Sequence, residues 1–485
     1  MITRKQLSFQ DIFDDCDEQF KNDKHKFLKM LEEHLNLSEI IPISFRHNFY
    51  KSKGRTRKYE LNAMIKALLL QRIFSIPTDK LLLIFLHFSS ELRQFCGFKS
   101  VPDASKITRF KQDFVSDLQS MFHYLVDITE PICQKIDLEK ASMVIFDTSG
   151  IEAWVTENNP KFSDKIIKQL KAWKKFNNID DSYDPYKAAY SKMPSHADAN
   201  PAIKQMYING HFCYAYKFGM ITNGLGIIRD ITFYNKDFLE AHPEIVVEKK
   251  TDSPDEDKTL ADSKALIPVL TDFLKRHPVI NPKIFLGDSA FDTIAIYDSL
   301  FNDLNFQKAF IPLNNRLTLP DADCPLNEFG IPCCPKDPKL PMKREGSKSH
   351  LKSGIPTMKF VCPKMKWKTV DGAKKSKRLT SCEEPCTTSA CGRMFYVYPQ
   401  KNLRAYPGVD RNSDEWNNTY KIRGSVEKNI GYFKDNYGIA GRRSRCEKTA
   451  HADLLLAGIT QLITVVVADA IHQHQFIRSL KPLVA

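Results

Sequence analysis

The fifteen residues Tyr420-Lys-Ile-Arg-Gly-Ser-Val-Glu-Lys-Asn-Ile-Gly-Tyr-Phe-Lys434 carry two patterns at once. Wound as one helix at about 100° per residue, they bring Tyr420 and Lys434 to within roughly 20° of Glu427, and Arg423 to within about 40°. One narrow face then holds a carboxylate between two cations. A second stripe, Ile422, Val426, Ile430 and Phe433, lies about 100° round the helix and supplies a side to bury.

The order Tyr420, Arg423, Glu427, Lys434 resembles the Y-R-E-K signature of bacterial insertion-sequence transposases with a DDE catalytic core. That resemblance implies an RNase H-like fold and two further catalytic aspartates, each leaving a core strand. Two stretches answer the search. Ser142-Met-Val-Ile-Phe146 reads as a short buried strand with Asp147 directly after it, and Ile284-Phe-Leu286 as another, with Asp288 leaving its end. If the two strands are parallel neighbours, both carboxylates emerge at one sheet edge, close enough to share a divalent cation. Asp292, in the same Asp-Ser-Ala-Phe-Asp run, reads as a helix-start residue.

Outward from these acids, the chain divides into four segments. Residues 1–135 read as helical throughout, and the resemblance implies that they form an N-terminal DNA-binding domain. Within them Tyr50-Lys-Ser-Lys-Gly-Arg-Thr-Arg-Lys58 is a dense basic segment whose Lys53, Arg55 and Arg57 suit a phosphate backbone or a solvated loop. Gly97 to Phe110 reads as a turn and a helix capped by Asp103 or Ser105, hence a helix-turn-helix. Its Pro-Asp-x-Ser-x-x-x-Arg-Phe pattern, ending at Arg109 and Phe110, resembles the N-terminal domain of the same transposases.

Residues 136–315 are the first part of the catalytic core, an α/β mixed sheet with flanking helices. They include a polar surface excursion over 157–202, whose one periodic stretch reads as a helix near residues 166–176, and a hairpin around Asn223-Gly224. Residues 316–400 are a basic cysteine-rich insertion holding seven of the twelve cysteines. Cys362, Cys382, Cys386 and Cys391 are candidates for a structural Zn²⁺ site, against thiols that merely pack. Residues 401–485 complete the core with the glutamate helix and a long apolar helix near Leu454–Ile471, which Thr460, Gln461, Thr464 and Asp469 suit to burial rather than to spanning a membrane.

Composition agrees with this division. With 485 residues and 42% hydrophobic content the chain is long enough for several domains, and 71 Lys plus Arg against 58 Asp plus Glu favours a polyanionic partner. The opening residues carry no apolar core of a secretory signal, so the expected compartment is the bacterial cytoplasm, with thiols reduced.

The resemblance implies that Asp147, Asp288 and Glu427 hold two Mg²⁺ or Mn²⁺ ions for strand cleavage and strand transfer at phosphorus. It further implies that Tyr420, Arg423 and Lys434 contact the backbone of the element's ends, and that a homodimer acts on double-stranded DNA. Two other readings are a repurposed transposase relative that only binds DNA, and a different RNase H-like nuclease.

Overall fold

The computed structural model describes residue 10 and residues 25–51, 56–180, 182–208, 211–250, 253–314, 325–327, 329–348, 357–369, 377–398, 402–441 and 444–484. Lys53, Arg55 and Cys324 lie outside these.

The N-terminal region is helical, and its breaks fall where the sequence has breakers. The helices Leu61–Ile73 and Asp79–Phe88 are separated at Pro77, and Thr78 caps the second through Leu81 N–H. Ser90–Cys96 ends at Gly97, whose φ of 87° is the left-handed stop that glycine takes without strain. Ala104–Asp113 then starts on Asp103, which accepts from Lys106 N–H at 3.2 Å. Val115–Ile136 follows and runs into the α/β part.

The main sheet is mixed and seven-stranded. Strands β1 (Met143–Glu152), β2 (His196–Ala197), β3 (Asn200–Ile208), β4 (His211–Thr222) and β5 (Ile228–Phe233) form its antiparallel side, in the order β2-β3-β4-β1, with β5 also on β4. The ribbon β6 (Lys249–Lys250) and β7 (Ser253–Asp257) stands apart from it. Strands β8 (Ile284–Leu286) and β9 (Lys308–Phe310) extend the sheet beyond β1 in parallel. Residues 143–146, apolar on both faces, are fully buried, as a central strand covered from both sides requires.

The insertion folds separately, as β10 (Lys343–Lys348), β11 (Thr357–Val361) and β14 (Met394–Val397) in one small antiparallel sheet, with β12 (Met365–Lys368) and β13 (Lys377–Thr380) as a hairpin.

Four expectations need correction. Strand β1 does not end before Asp147; it runs on to Glu152, held by β4 alone after its parallel pairing with β8 stops at Ile145 and Leu286. The hairpin between β4 and β5 turns over 223–227, with Gly226 at φ 75° and the Asn223 carboxamide oxygen accepting from Leu225 and Ile227, so Gly224 is not a two-residue turn. The polar excursion holds more than the one helix expected near residues 166–176: Pro160–Phe176 is followed by Pro185–Lys192, which leads through the edge strand β2 into β3. And Tyr420–Lys434 is not one α-helix, because Asp414–Tyr420 and Gly424–Asp435 are joined by a 3₁₀ turn over Lys421–Arg423.

The helical region and the sheet share one hydrophobic core reaching from Phe27 to Leu480. At its centre lies the helix Glu447–Ala470, long and apolar enough to cross a membrane, but with 94% of its most apolar window buried inside the fold. Buried charges tie it to the N-terminal helices. Asp453 accepts from Arg72 at 2.5 Å and pairs with Lys111 at 2.8 Å, while Lys111 also reaches Asp79 at 2.8 Å.

Candidate active site

Three elements bring the predicted acids together. Asp147 projects from β1 just beyond the last residue paired with β8, so its neighbour on that side is the loop following β8 rather than another strand. Asp288 opens that loop and caps the 3₁₀ turn Ser289–Phe291, accepting from Ala290 N–H at 2.8 Å. Gly287 is needed between strand and cap, since a Cβ there would come within 2.7 Å of the Phe291 ring. Glu427 comes from the first turn of Gly424–Asp435.

Arg423 joins the three. Its guanidinium donates to Glu427 at 2.7 Å and lies 3.7 Å from Asp147 and 4.0 Å from Asp288. Burial pushes the Asp147 carboxyl up to about 6, with Asp288 and Glu427 adding to the rise and Arg423 opposing it. Burial raises Asp288 as well. Two partly buried carboxyls with raised affinity for protons have the same need for positive charge that a divalent cation meets, and the oxygen donors of all three acids are of the hard class that Mg²⁺ and Mn²⁺ prefer. No three of these carboxylate oxygens form a set within 4.8 Å of one another.

The glutamate helix is fixed from behind. Val426, Ile430 and Phe433 are buried and Ile422 packs against the same core. Asn429 accepts from Gln461 at 2.6 Å, and Gln461 in turn accepts from Ile228 N–H on β5. Lys434 does not reach the acids. Its ammonium donates to the Ser149 hydroxyl on β1 at 2.8 Å, and burial lowers its pKa. Tyr420 stacks on Trp416, with centroids 5.7 Å apart, and Trp416 stacks on Phe310 of β9. The signature segment is thereby pinned across the sheet edge where both aspartates lie.

Other residues at the site were not legible as functional. Asp292, expected as a helix start, is fully buried and takes both Arg404 nitrogens, the Tyr297 hydroxyl and Asn314 N–H, which locks the loop after Asp288 to residues 402–411. Lys217, opposite Gly150 in the register, pairs with Asp262 at 2.5 Å and lines a groove of about 410 Å³ with Thr148 and Ser149. Nothing in the local sequence of either residue announces these partners, which are distant in the chain.

Of the candidate DNA contacts, Arg109 lies with Lys106 and Lys58 on a groove of about 390 Å³. Arg57 borders it too, but its guanidinium sits over the Phe49 and Phe114 rings at 4.5 and 4.9 Å and donates to Phe49 C=O. In the insertion, Cys362, Cys382 and Cys386 line one cavity of about 260 Å³. The fourth cysteine on its wall is Cys334, whereas Cys391 faces the Ser389 hydroxyl at 3.0 Å.

Comparison with known proteins adds one family. Residues 15–113 match the family described as "Transposase domain (DUF772)", which places a transposase domain in the helical region. No curated protein matches the chain in sequence. One solved structure, a piggyBac transposase synaptic complex with hairpin DNA, aligns over 94% of this chain and 79% of its own at 11% identity, with a TM-score of 0.34.

Proposed function

We propose that the chain is a DDE transposase of the insertion-sequence type, with an RNase H-like core, which binds the ends of its element and cleaves and rejoins DNA by in-line displacement at phosphorus. The observation that carries this reading is the Arg423 contact: one guanidinium within 4.0 Å of carboxylates from β1, from the end of β8 and from the Glu427 helix. The transposase domain at residues 15–113 supports it independently.

Asp147, Asp288 and Glu427 would hold Mg²⁺ or Mn²⁺. The bound ions would supply activation of the attacking oxygen and stabilisation of the leaving 3′-oxygen. The protein's own residues position the strand. Arg423, with a guanidinium shared among three acids, can turn a charge-assisted pair toward a phosphate once cations take over the carboxylates. Tyr420 offers a hydroxyl on the rim of the same site, and Lys434 braces β1 through Ser149. Lys217 lies along the groove beside Asp147. Farther away, Arg109, Lys106 and Lys58 on the helical domain, and the helix Pro160–Phe176 with six lysines against one aspartate, offer phosphate contacts that hold rather than read the duplex. We place the working complex in the bacterial cytoplasm as a homodimer on double-stranded DNA.

The deciding experiment is cleavage of a DNA bearing the element's own ends in Mg²⁺, wild type against Glu427→Gln. Cutting at the ends that disappears in the variant is the expected result. Binding without cutting by both proteins, with Mn²⁺ and with precleaved ends, would instead identify a repurposed DNA-binding relative.

A further inference from the structure

Among its described residues the insertion has a small apolar core. Between residues 325 and 405 its separate core consists of Met342, Met358, Phe360, Val397 and Ala405. Small units with so few buried side chains usually need a staple, either disulfides or a metal. None of the described cysteines is held in a disulfide.

Three segments meet at the 260 Å³ cavity. Cys334 belongs to the loop that returns through Leu340, whose carbonyl accepts from Cys334 N–H at 2.9 Å. Cys362 directly follows β11 and donates its N–H to Arg393 C=O. Cys382 and Cys386 lie on the connection between β13 and β14, which contains no helix or strand. Cys386 faces Cys334 across the same cavity. Cys333, the neighbour of Cys334, points its sulfur toward Ile331 C=O instead.

We propose that Cys334, Cys362, Cys382 and Cys386 bind a structural zinc ion as thiolates, joining these three segments. Soft sulfur donors favour zinc over the magnesium suited to the carboxylate site. Four thiolates leave a Zn²⁺ site with two net negative charges; Lys336, Lys364 and Arg393 line the same cavity, as do Asp337, Glu383 and Glu384. The sulfurs ring the cavity without any three lying within 4.8 Å of one another. Zn–S bonds of about 2.3 Å would draw the loops inward, and each thiol would give up its proton on binding. The other donor cluster, His123, Asp230 and His277, is already that close. There, however, Arg276 pairs with Asp230 at 2.9 Å, so a divalent cation would face a guanidinium.

This site differs from the one the cysteine spacing suggests in one residue, Cys334 for Cys391, and that difference makes it testable. The full-length chain, purified under reducing conditions, is analysed for metal by mass spectrometry beside Cys334→Ser, Cys386→Ser and Cys391→Ser. The expected result is about one zinc per chain in the wild type and in Cys391→Ser, with loss in the other two. Replacing the zinc of the wild type with Co²⁺ should give tetrahedral d–d bands and sulfur-to-cobalt charge transfer, a readout that does not depend on any variant folding. Zinc retained by Cys334→Ser but lost from Cys391→Ser would overturn the assignment. So would a wild-type chain without zinc and without a thiolate–cobalt spectrum, or a Cys334–Cys386 disulfide found in its place. None of these readouts depends on DNA cleavage, so failure here leaves the carboxylate reading untouched.

Discussion

Acid should loosen the junction between the helical region and the sheet, and two histidines set the window. His451, on the long central helix, stacks on Phe233 of β5 at 4.7 Å, and burial lowers its pKa to about 4. His123, on Val115–Ile136, has no hydrogen-bond partner for either ring nitrogen. Burial, with Arg276, His277 and His451 nearby, lowers its pKa to about 2. Both rings are therefore neutral in the fold, while in the unfolded chain each takes up a proton near pH 6.5. Folded values below the unfolded one mean that stability is fully present above pH 6.5 and is lost as pH falls below it. Each histidine contributes up to about 1.4 kcal/mol per pH unit in that window, so both together cost roughly 6 kcal/mol between pH 6.5 and 4. At about 2.1 cal/mol/K per residue the unfolding entropy of this chain is near 1 kcal/mol/K, so the two histidines alone lower the midpoint by about 6 °C. Differential scanning fluorimetry from pH 7.5 to 4.5 on the wild type, His123→Asn and His451→Asn tests this. Each variant should show a shallower fall than the wild type, even if its midpoint at pH 7.5 is lower. Variants that fall as steeply as the wild type would refute the assignment of neutral buried rings; the comparison cancels the Asp147 carboxyl, which is pushed up to about 6 in the fold and acts in the opposite sense over this window.

Two further outcomes follow from the same packing and from the proposed DNA contacts. Asp453→Ala leaves the buried Arg72 without its carboxylate and Lys111 with Asp79 alone, which should cost about 3–5 kcal/mol and lower the midpoint by a few degrees. A midpoint unchanged within a degree would mean that the pair contributes nothing net. Replacing the exposed Lys161, Lys165 and Lys168 by Gln should weaken DNA binding and make the salt dependence of the affinity shallower, by up to about 0.9 in log–log slope for each phosphate that is no longer neutralised. An unchanged salt slope would remove that helix from the interface.

What the sequence made legible was local and periodic. The apolar runs before Asp147 and Asp288, the buried stripe of Val426, Ile430 and Phe433, and the cap at Asp103 are all visible within a few residues, because strand burial, helix period and capping act at that range. The misreadings share a cause, which is that the deciding partner is remote. Nothing near Asp147 says that β4 carries β1 on to Glu152 after β8 has ended. Asp292 looks like any capping aspartate until Arg404, more than a hundred residues later, turns it into a buried ion pair. Cys391 has better spacing to Cys386 than Cys334 does, yet the fold puts Cys334 on the cavity.

The same reasoning changes how the helical region can be studied. From sequence it reads as a detachable DNA-binding domain ending near residue 135. In the fold, Arg229 of β5 is buried against its last helix, donating to the Thr129 hydroxyl at 2.9 Å and lying 3.4 Å from Glu130, while Arg72 and Lys111 grip Asp453 on the core's central helix. Cutting at 135 would strand those charges and strip the apolar cover from Glu447–Ala470. The proposed recognition of DNA ends is therefore better probed by surface changes such as Arg109→Ala, which leave the shared core intact, than by truncation.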